Sequence, residues 1–258
     1  MNGEVWARLL VNDADRVSTR VPSVVAYDGA LGGQTFRTIA IVPDAQARSP
    51  RARHGEFGLD EGVAVAHAVR GAPAGAAIVA IVDVPGQAFG RLEESAGISL
   101  SLAASVDAYV TERRRGRAMF TLVVGRAISG AFLAHGMQGG WIGALRCDAV
   151  EVHVMSAASV ARVTRMDDAE VARVASVVPA TARDIDTFAT FGAIDELFSC
   201  ADPQHPTPPE IETIRSSIVA ARNLGLGLRH PIDRLASAGA IAHRALARDV
   251  RRRIDAAW

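Results

Sequence analysis

The sequence of 258 residues contains no lysine, so all 28 of its basic residues are arginines. Chemistry that depends on a lysine amine, such as a Schiff base or a bound pyridoxal aldehyde, is therefore excluded. Acidic residues also number 28, which leaves the chain without net charge. Because such a chain has no overall field that attracts polyanions, we expect neither nucleic acid nor an anionic membrane as a partner.

Cysteine and long apolar runs are also scarce. Cys147 and Cys200 have no second cysteine or histidine at metal-ligand spacing, which predicts a reducing compartment and no metal site. The longest uncharged stretch, between Arg126 and Arg146, is interrupted by five glycines and does not predict a membrane span. Since the first residues also lack the pattern of a signal peptide, we expect a cytoplasmic location.

Short β-branched apolar runs alternate with segments of helical periodicity, which predicts an α/β fold. The predicted strands are residues 24–26, 36–42, 77–82, 119–124 and 150–154. The predicted helices are residues 59–69 and 92–115, the second with Ala96, Leu100, Ala103 and Val110 along one side. Several of the strands are uninterrupted apolar runs, which is typical of strands buried on both faces of a sheet.

A group of prolines between residues 203 and 209 separates this α/β part from the rest of the chain. Thr207, Pro208 and Glu210 then form the pattern of a helix start with a capping box. The sequence that follows is rich in alanine and arginine and predicts one or two helices, with a break near Gly225. We expect one domain in two parts, an α/β part over residues 1–205 and a helical C-terminal extension over residues 206–258.

The first candidate site is the junction that follows the predicted strand 77–82. Pro85, Gly86 and Gly90 lie between this strand and the helix predicted after it. Glycine amides in such a loop, together with the unpaired amides of the helix start, can bind a carboxylate or an oxyanion. These three residues are therefore candidate substrate-binding residues, and the alternative is an ordinary tight turn.

The second candidate site follows the strand 119–124, where a helix of small residues is predicted to begin near Ser129. The backbone amides of Gly130 and Ala131 would then stand free at the helix start. Two preorganised amides of this kind form an oxyanion hole. The alternative is a helix that packs closely on the sheet through its small residues.

The two junctions together resemble the carboxyltransferase branch of the crotonase superfamily. Residues 82–94 are similar to the D-x-P-G-x-x-x-G-x-x-x-E stretch of biotin-dependent acyl-CoA carboxyltransferases, and residues 152–156 resemble an apolar strand of that family. Segments 28–34, 51–58 and 129–136 resemble the gamma subunit of biotin-independent malonate decarboxylase. The resemblance extends from about residue 22 to about residue 200 and implies a crotonase/ClpP-like carboxyltransferase fold.

The resemblance also implies a function and partners. A beta and gamma subunit pair would decarboxylate a malonyl thioester carried by the phosphopantetheine-type arm of an acyl carrier protein, leaving an acetyl thioester and CO2. A separate acyl carrier transferase subunit is implied as well, and this chain would bind no cofactor itself. The beta subunit would hold the thioester oxygen, while Gly130 and Ala131 would hold the departing carboxylate or a water.

His153 is a candidate for delivering a proton or binding a carboxylate, since its ordinary pKa suits proton transfer near neutral pH. The alternative is a histidine that serves only the structure. Ser129 and His153 also allow a Clp-type serine peptidase, in which they would be nucleophile and base. Two further alternatives are the C-terminal half of a biotin-dependent carboxyltransferase or decarboxylase, and a non-catalytic scaffold that completes its partner's fold.

Overall fold

The computed structural model describes residues 2–155, 157–177, 181 and 183–258, and a mixed eight-stranded sheet forms its centre. The strands are β1 (Asn12–Val17), β2 (Val24–Leu31), β3 (Gln34–Ile41), β4 (Ala77–Val84), β5 (Met119–Ile128), β6 (Trp141–Arg146), β7 (Val152–His153) and β8 (Glu196–Ser199). Their order is β1-β2-β3-β4-β5-β6-β8, and β7 pairs with the end of β5. The pairs β1–β2 and β2–β3 are antiparallel, whereas the remaining pairs are parallel.

Helices cover both faces of this sheet. They are α1 (Gly3–Leu9), α2 (Leu59–Arg70), α3 (Arg91–Ala96), α4 (Ile98–Arg114), α5 (Ser129–Ala134), α6 (Ala157–Thr164), α7 (Asp168–Val177), α8 (Ile185–Thr190), α9 (Pro208–Asn223), α10 (Ala238–His243) and α11 (Ala245–Ala257). Short 3-10 segments lie at Ala52–His54, Gly136–Gln138, Leu226–Leu228 and Pro231–Ala236. The alternation of strands and helices confirms the predicted α/β class.

Side chains that alternate along β2, β3 and β4 enter two separate cores. Val79 and Ile81 of β4 join the core that contains Trp6 of α1, whereas Ile78 and Ala80 join the core formed with α2 and α4. All eight residues of β4 are buried. The uninterrupted apolar run of this strand therefore has the expected cause, since both of its faces are covered by helices.

Every predicted strand is present, but its limits differ, and three strands were missed. β5 continues to Ile128, while the strand predicted over residues 150–154 is reduced to β7. β1 was missed because it is a polar edge strand, and β8 because it has only four residues. β6 lies inside the glycine-interrupted uncharged stretch, where it is buried against β5.

The single helix predicted over residues 92–115 is wrong, because Gly97, at φ 87°, separates α3 from α4. The apolar side chains predicted along one side of this helix do not form its buried side: Leu100 is 74% exposed, whereas Ser101 and Ser105 are buried. The reason is close packing of α4 against α2. A Cβ on Gly62 of α2 would collide with Ser101, so only small side chains fit between these helices.

The C-terminal region begins with the predicted capping box, in which the amide of Thr207 donates to Oε2 of Glu210 at 2.7 Å. Ile214 and Ile218 of α9 are buried in the same core as Trp6. This contact makes α9 part of the main core, while the boundary at residue 205 stays a prediction. Among the described residues, no helix is both long and apolar enough to span a membrane.

Candidate active site

The loop after β4 is held in place by backbone contacts with Phe57. The amide of Phe57 donates to the carbonyl of Gly86, and the amide of Ala88 donates to the carbonyl of Phe57, both at 2.9 Å. Gly86 has φ 130°, a conformation that side chains rarely adopt, and a Cβ placed there would lie 3.9 Å from Cβ of Ser129. The two junctions predicted from the sequence therefore meet at the carboxyl ends of β4 and β5.

The turn after β5 contains an unusual backbone conformation. Ser129, which begins α5, has φ 58°, in the left-handed region that costs a residue other than glycine about 1 kcal/mol. Such a residue persists only where its surroundings impose the conformation, and it occurs often at functional sites. Ser129 and Gly130 are half-buried, whereas Ala131 is fully buried.

The amide of Gly130 is not free, contrary to the prediction. It donates to Oε1 of Gln87, in the facing loop, at 2.7 Å. A Cβ on Gly130 would approach this oxygen to the same distance, so glycine allows the close contact between the two loops. One of the two amides assigned to the oxyanion hole is thus already bonded to a protein oxygen.

A bulge in β5 places this turn next to β4. The pairing register between β4 and β5 shifts by two residues between Val82 and Val84, so that Ala127 lies opposite Val84. The buried carboxylate of Asp83 faces the bulge and accepts from the amide of Arg126 at 3.1 Å. Gly125 lies against Asp83, with no room for a Cβ. Asp83 therefore fixes the path of the chain just before Ser129.

His153 lies beside the same turn, because it pairs with Ile128 in the parallel β5–β7 ladder. Its Nε2 lies 3.0 Å from Nη2 of Arg183, and since a guanidinium only donates, Nε2 accepts and the proton is on Nδ1. Burial, and then the charge of Arg183, lowers the pKa of His153, although Glu151 acts in the opposite direction. These surroundings favour the neutral form of His153.

This state bears on the two roles predicted for His153. A neutral ring whose Nε2 is occupied is a weak proton donor. Its Nδ1 is buried, and the backbone of Met155 lies close enough to raise the pKa of the ring. Since neither ring nitrogen is open to substrate in this arrangement, the geometry favours neither role, and both stay predictions. Ser156, in the segment that carried part of the resemblance, lies outside the described residues.

Comparison with known proteins assigns the chain to a family. The model of the malonate decarboxylase gamma subunit matches residues 52–258, which is most of the chain. The chain belongs to the malonate decarboxylase gamma-subunit family. Two Pseudomonas malonate decarboxylase structures match it over 100% of its length and 99% of theirs: a hetero-tetramer with coenzyme A, at 38% identity and TM-score 0.87, and an MdcD–MdcE hetero-dimer, at 36% and 0.84.

Two other relatives differ in how much they show about this chain. The malonyl-S-ACP:biotin-protein carboxyltransferase MADD of Malonomonas rubra is 33% identical over an alignment of 194 residues, and the match covers 70% of this chain and 66% of that protein. Transcarboxylase 12S matches 85% of this chain and 41% of its own, at 21% identity and TM-score 0.65, and shows the fold alone. The predicted carboxyltransferase fold of the gamma-subunit family is thereby confirmed.

The peptidase alternative has no support in the geometry. A serine nucleophile needs a base within hydrogen-bond reach. In the part of the chain that the structure describes, no hydrogen bond joins Ser129 to His153, and the Nε2 that would act as base is held by Arg183. Membership in the malonate decarboxylase gamma-subunit family gives these residues a different context.

The structure separates the three residues predicted to bind substrate in the first loop. Gly86 faces Ser129, and Pro85 precedes it in the half-buried part of the loop. Gly90 instead precedes α3, and a Cβ there would come within 2.7 Å of Oε2 of Glu93. Since the other oxygen of Glu93 accepts from Ser49 at 2.9 Å, Gly90 has a structural reason for its position.

Gln87 and Asp83 were not predicted as site residues, although both lie inside the motif that carried the family resemblance. Their partners are 43 residues away along the chain, on the other side of a parallel strand pair. The available signal was chemical: Asp83 is the only charged residue in β4, and Gln87 is the polar side chain between Gly86 and Gly90.

Ser129→Gly is expected to raise the free energy of unfolding by about 1 kcal/mol, because glycine adopts φ 58° without strain. Ser129→Ala keeps the strain and should change stability by less than about 0.5 kcal/mol. Urea denaturation measures both. Arg165, which follows α6 with φ 61°, is the matched control, and Arg165→Gly should give a similar gain. No gain from Ser129→Gly would show that the conformation costs nothing.

Proposed function

We propose that this chain is the gamma half of a malonate decarboxylase and that, paired with a beta subunit, it decarboxylates a malonyl thioester carried by an acyl carrier protein. The observation that carries this proposal is the meeting of the two junction loops, with Gly86 beside Ser129 and Gln87 bonded to Gly130. Polar donors of the two loops converge here, at the carboxyl ends of the adjacent strands β4 and β5.

Decarboxylation breaks the bond between the α carbon and the carboxylate and leaves an electron pair on the α carbon. That pair is delocalised onto the thioester oxygen, and the carbon then takes up a proton to give the acetyl thioester. Such a reaction needs donors for the enolate oxygen and a defined place for the carboxylate. We assign the enolate oxygen to the beta subunit and the carboxylate to the loops of this chain.

The oxyanion role predicted for Gly130 and Ala131 is restricted by the contact with Gln87. For the Gly130 amide to reach substrate directly, the side chain of Gln87 has to leave it. The alternative is that Gln87 stays in place and itself binds the substrate.

Exposed apolar side chains next to the loops support an active site shared with a partner. Phe89 of the first loop, Leu92 of α3, Leu100 of α4 and Leu133 of α5 are each more than half exposed, and α3 and α5 both pack on α4. Apolar surface of this kind marks a protein interface. We assign it to the beta subunit, since the related Pseudomonas enzyme forms an MdcD–MdcE hetero-dimer.

The proposal includes two further partners, which are needed to supply the substrate. The substrate thioester requires an acyl carrier protein and an acyl carrier transferase that loads it. A cytoplasmic location agrees with the free thiols of Cys147 and Cys200.

The second candidate function is carboxyl transfer to a biotin protein. It is favoured by the Malonomonas rubra relative, whose name states that reaction, although this chain spans 66% of that protein's length. A transferase passes the carboxyl group to biotin and requires the biotin protein for turnover. A decarboxylase releases CO2 without it.

CO2 release from a malonyl carrier-protein thioester tests both candidates. We expect release by the co-expressed beta–gamma pair, none by either chain alone, and no inhibition by avidin. Dependence on an added biotin protein, or inhibition by avidin, would establish the transferase instead. Full release by the beta subunit alone would refute the shared active site, because this chain would then not be needed for turnover.

A further inference from the structure

The backbone on both sides of Gln87 is held by hydrogen bonds, although Gln87 lies in a loop. The residues on both sides of it are bonded to Phe57, so that Gln87 pairs with Phe57 as a one-residue parallel bridge. Phe57 and Ala88 are both fully buried. The side chain of Gln87 therefore projects towards the turn at Ser129 from a defined point.

The contact with Gly130 also fixes which way the amide of Gln87 points. A backbone N–H only donates, so the atom 2.7 Å from it is the oxygen Oε1, and Nε2 faces away from Gly130. Among the described residues, Nε2 has no hydrogen-bond partner, and Gln87 is half-buried. Two N–H donors are thus held in position and left unused by the protein.

We propose that Gln87 is a substrate-binding residue whose Nε2 donates to the carboxylate of the malonyl group, while Gly130 holds Oε1. This inference rests on the function proposed above. The hydrogen bond from Gly130 polarises the amide and strengthens its N–H groups as donors. The sequence predicted that the backbone N–H of Gly130 would donate to the substrate. In the structure that N–H donates to Gln87, and the N–H groups of Gln87 Nε2 take its place as donors to the substrate.

The chemistry of the reaction predicts which kinetic constant depends on Gln87. The carboxylate carries its full charge in the bound substrate and loses it as neutral CO2 forms. A hydrogen bond to it therefore stabilises the ground state more than the transition state. Removing Gln87 should raise KM and leave kcat unchanged or slightly higher.

The test measures CO2 release by the beta–gamma pair while the concentration of malonyl carrier-protein thioester is varied. For Gln87→Ala we expect KM to rise about tenfold, with kcat within about twofold of wild type. Gln87→Glu keeps an oxygen for Gly130 but replaces the donor with a charge that repels the substrate, so its KM should rise at least as much. Gln34→Ala, far from the loops at the start of β3, is the matched control and should leave both constants unchanged.

The activity of the wild-type pair distinguishes a failure of the proposed function from a failure of the inference about Gln87. Without CO2 release by the wild-type pair, the proposed function fails. If the wild-type pair is active and Gln87→Ala leaves KM unchanged, the inference alone fails. A lower KM in Gln87→Ala would overturn it in the opposite sense, because Gln87 would then obstruct the site. Co-purification with the beta subunit verifies that each variant folds and assembles.

Discussion

Replacing Asp83 with alanine is expected to lower the free energy of unfolding by about 3 kcal/mol. The Asp83 carboxylate, 4% exposed, accepts from the backbone amides of Asn2 at 2.6 Å and Arg126 at 3.1 Å. Alanine leaves both amides without an acceptor and opens a space beside the β5 bulge. Urea denaturation should show a lower midpoint with an unchanged dependence on denaturant concentration.

An exposed aspartate provides the control. Asp107 pairs with Arg70 at 2.6 Å on the surface, and such pairs contribute less than about 1 kcal/mol. Asp107→Ala should therefore have little effect. Because the bulge also positions Ser129 and Gly130, Asp83→Ala should reduce turnover by the beta–gamma pair, while Asp107→Ala should not. Equal losses of stability in the two variants would refute the role of Asp83.

Acidification from pH 6.5 to pH 4 is expected to destabilise the folded chain by about 3 kcal/mol through His135 alone. Complete burial lowers the pKa of His135 from its ordinary 6.5 to about 4. Its Nδ1 lies 2.9 Å from the Tyr109 hydroxyl, and its Nε2 lies 3.3 Å from the carbonyl oxygen of Ile81. The His135 ring is therefore neutral in the folded chain above about pH 4.

The sign of this effect follows from proton binding. Between pH 6.5 and 4 the unfolded chain binds a proton at His135 that the folded chain does not, so stability falls as the pH is lowered. Well above pH 6.5 both states are neutral there and the contribution is constant. His153, whose pKa is also lowered, acts in the same direction.

Urea denaturation of His135→Gln over this pH range provides the measurement. The variant should be less stable than wild type at pH 7.5, since the buried pocket is built for an imidazole, but its stability should change less between pH 6.5 and 4. His67→Gln, at an exposed position on α2, should keep the wild-type dependence. A pH dependence in His135→Gln as steep as in wild type would assign the acid sensitivity to other groups.

Local patterns predicted the elements that carry the site. Residues 77–82 of β4 are an uninterrupted apolar run, and the first part of β5 is apolar except for Thr121. Such runs are typical of strands whose two faces are both covered by helices. The capping box at Thr207 depends only on neighbouring residues and is present as predicted. The two glycine-containing junctions were also found, because glycines that follow a buried strand are visible in the sequence itself.

The apolar residues along one side of α4 were found from the sequence, but what that side contacts was not. Periodicity detects that Leu100 shares a side of the helix with Ala103, but not whether that side meets the core or a partner. In the structure, the small side chains of Ser101 and Ser105 face the core, because α2 approaches closely at Gly62. The apolar side chain of Leu100 is left on the surface, where we propose the beta subunit binds.

The sequence by itself determined the α/β class, the buried parallel strands, the two junctions and the resemblance to the gamma-subunit family, because each depends on short-range pattern. Only the tertiary structure decided that Gly130 donates to Gln87 and that Asp83 supports the bulge before Ser129. These contacts join residues 43 positions apart, and they depend on the two-residue register shift between β4 and β5. A register shift is a property of paired strands, so neither strand carries it alone.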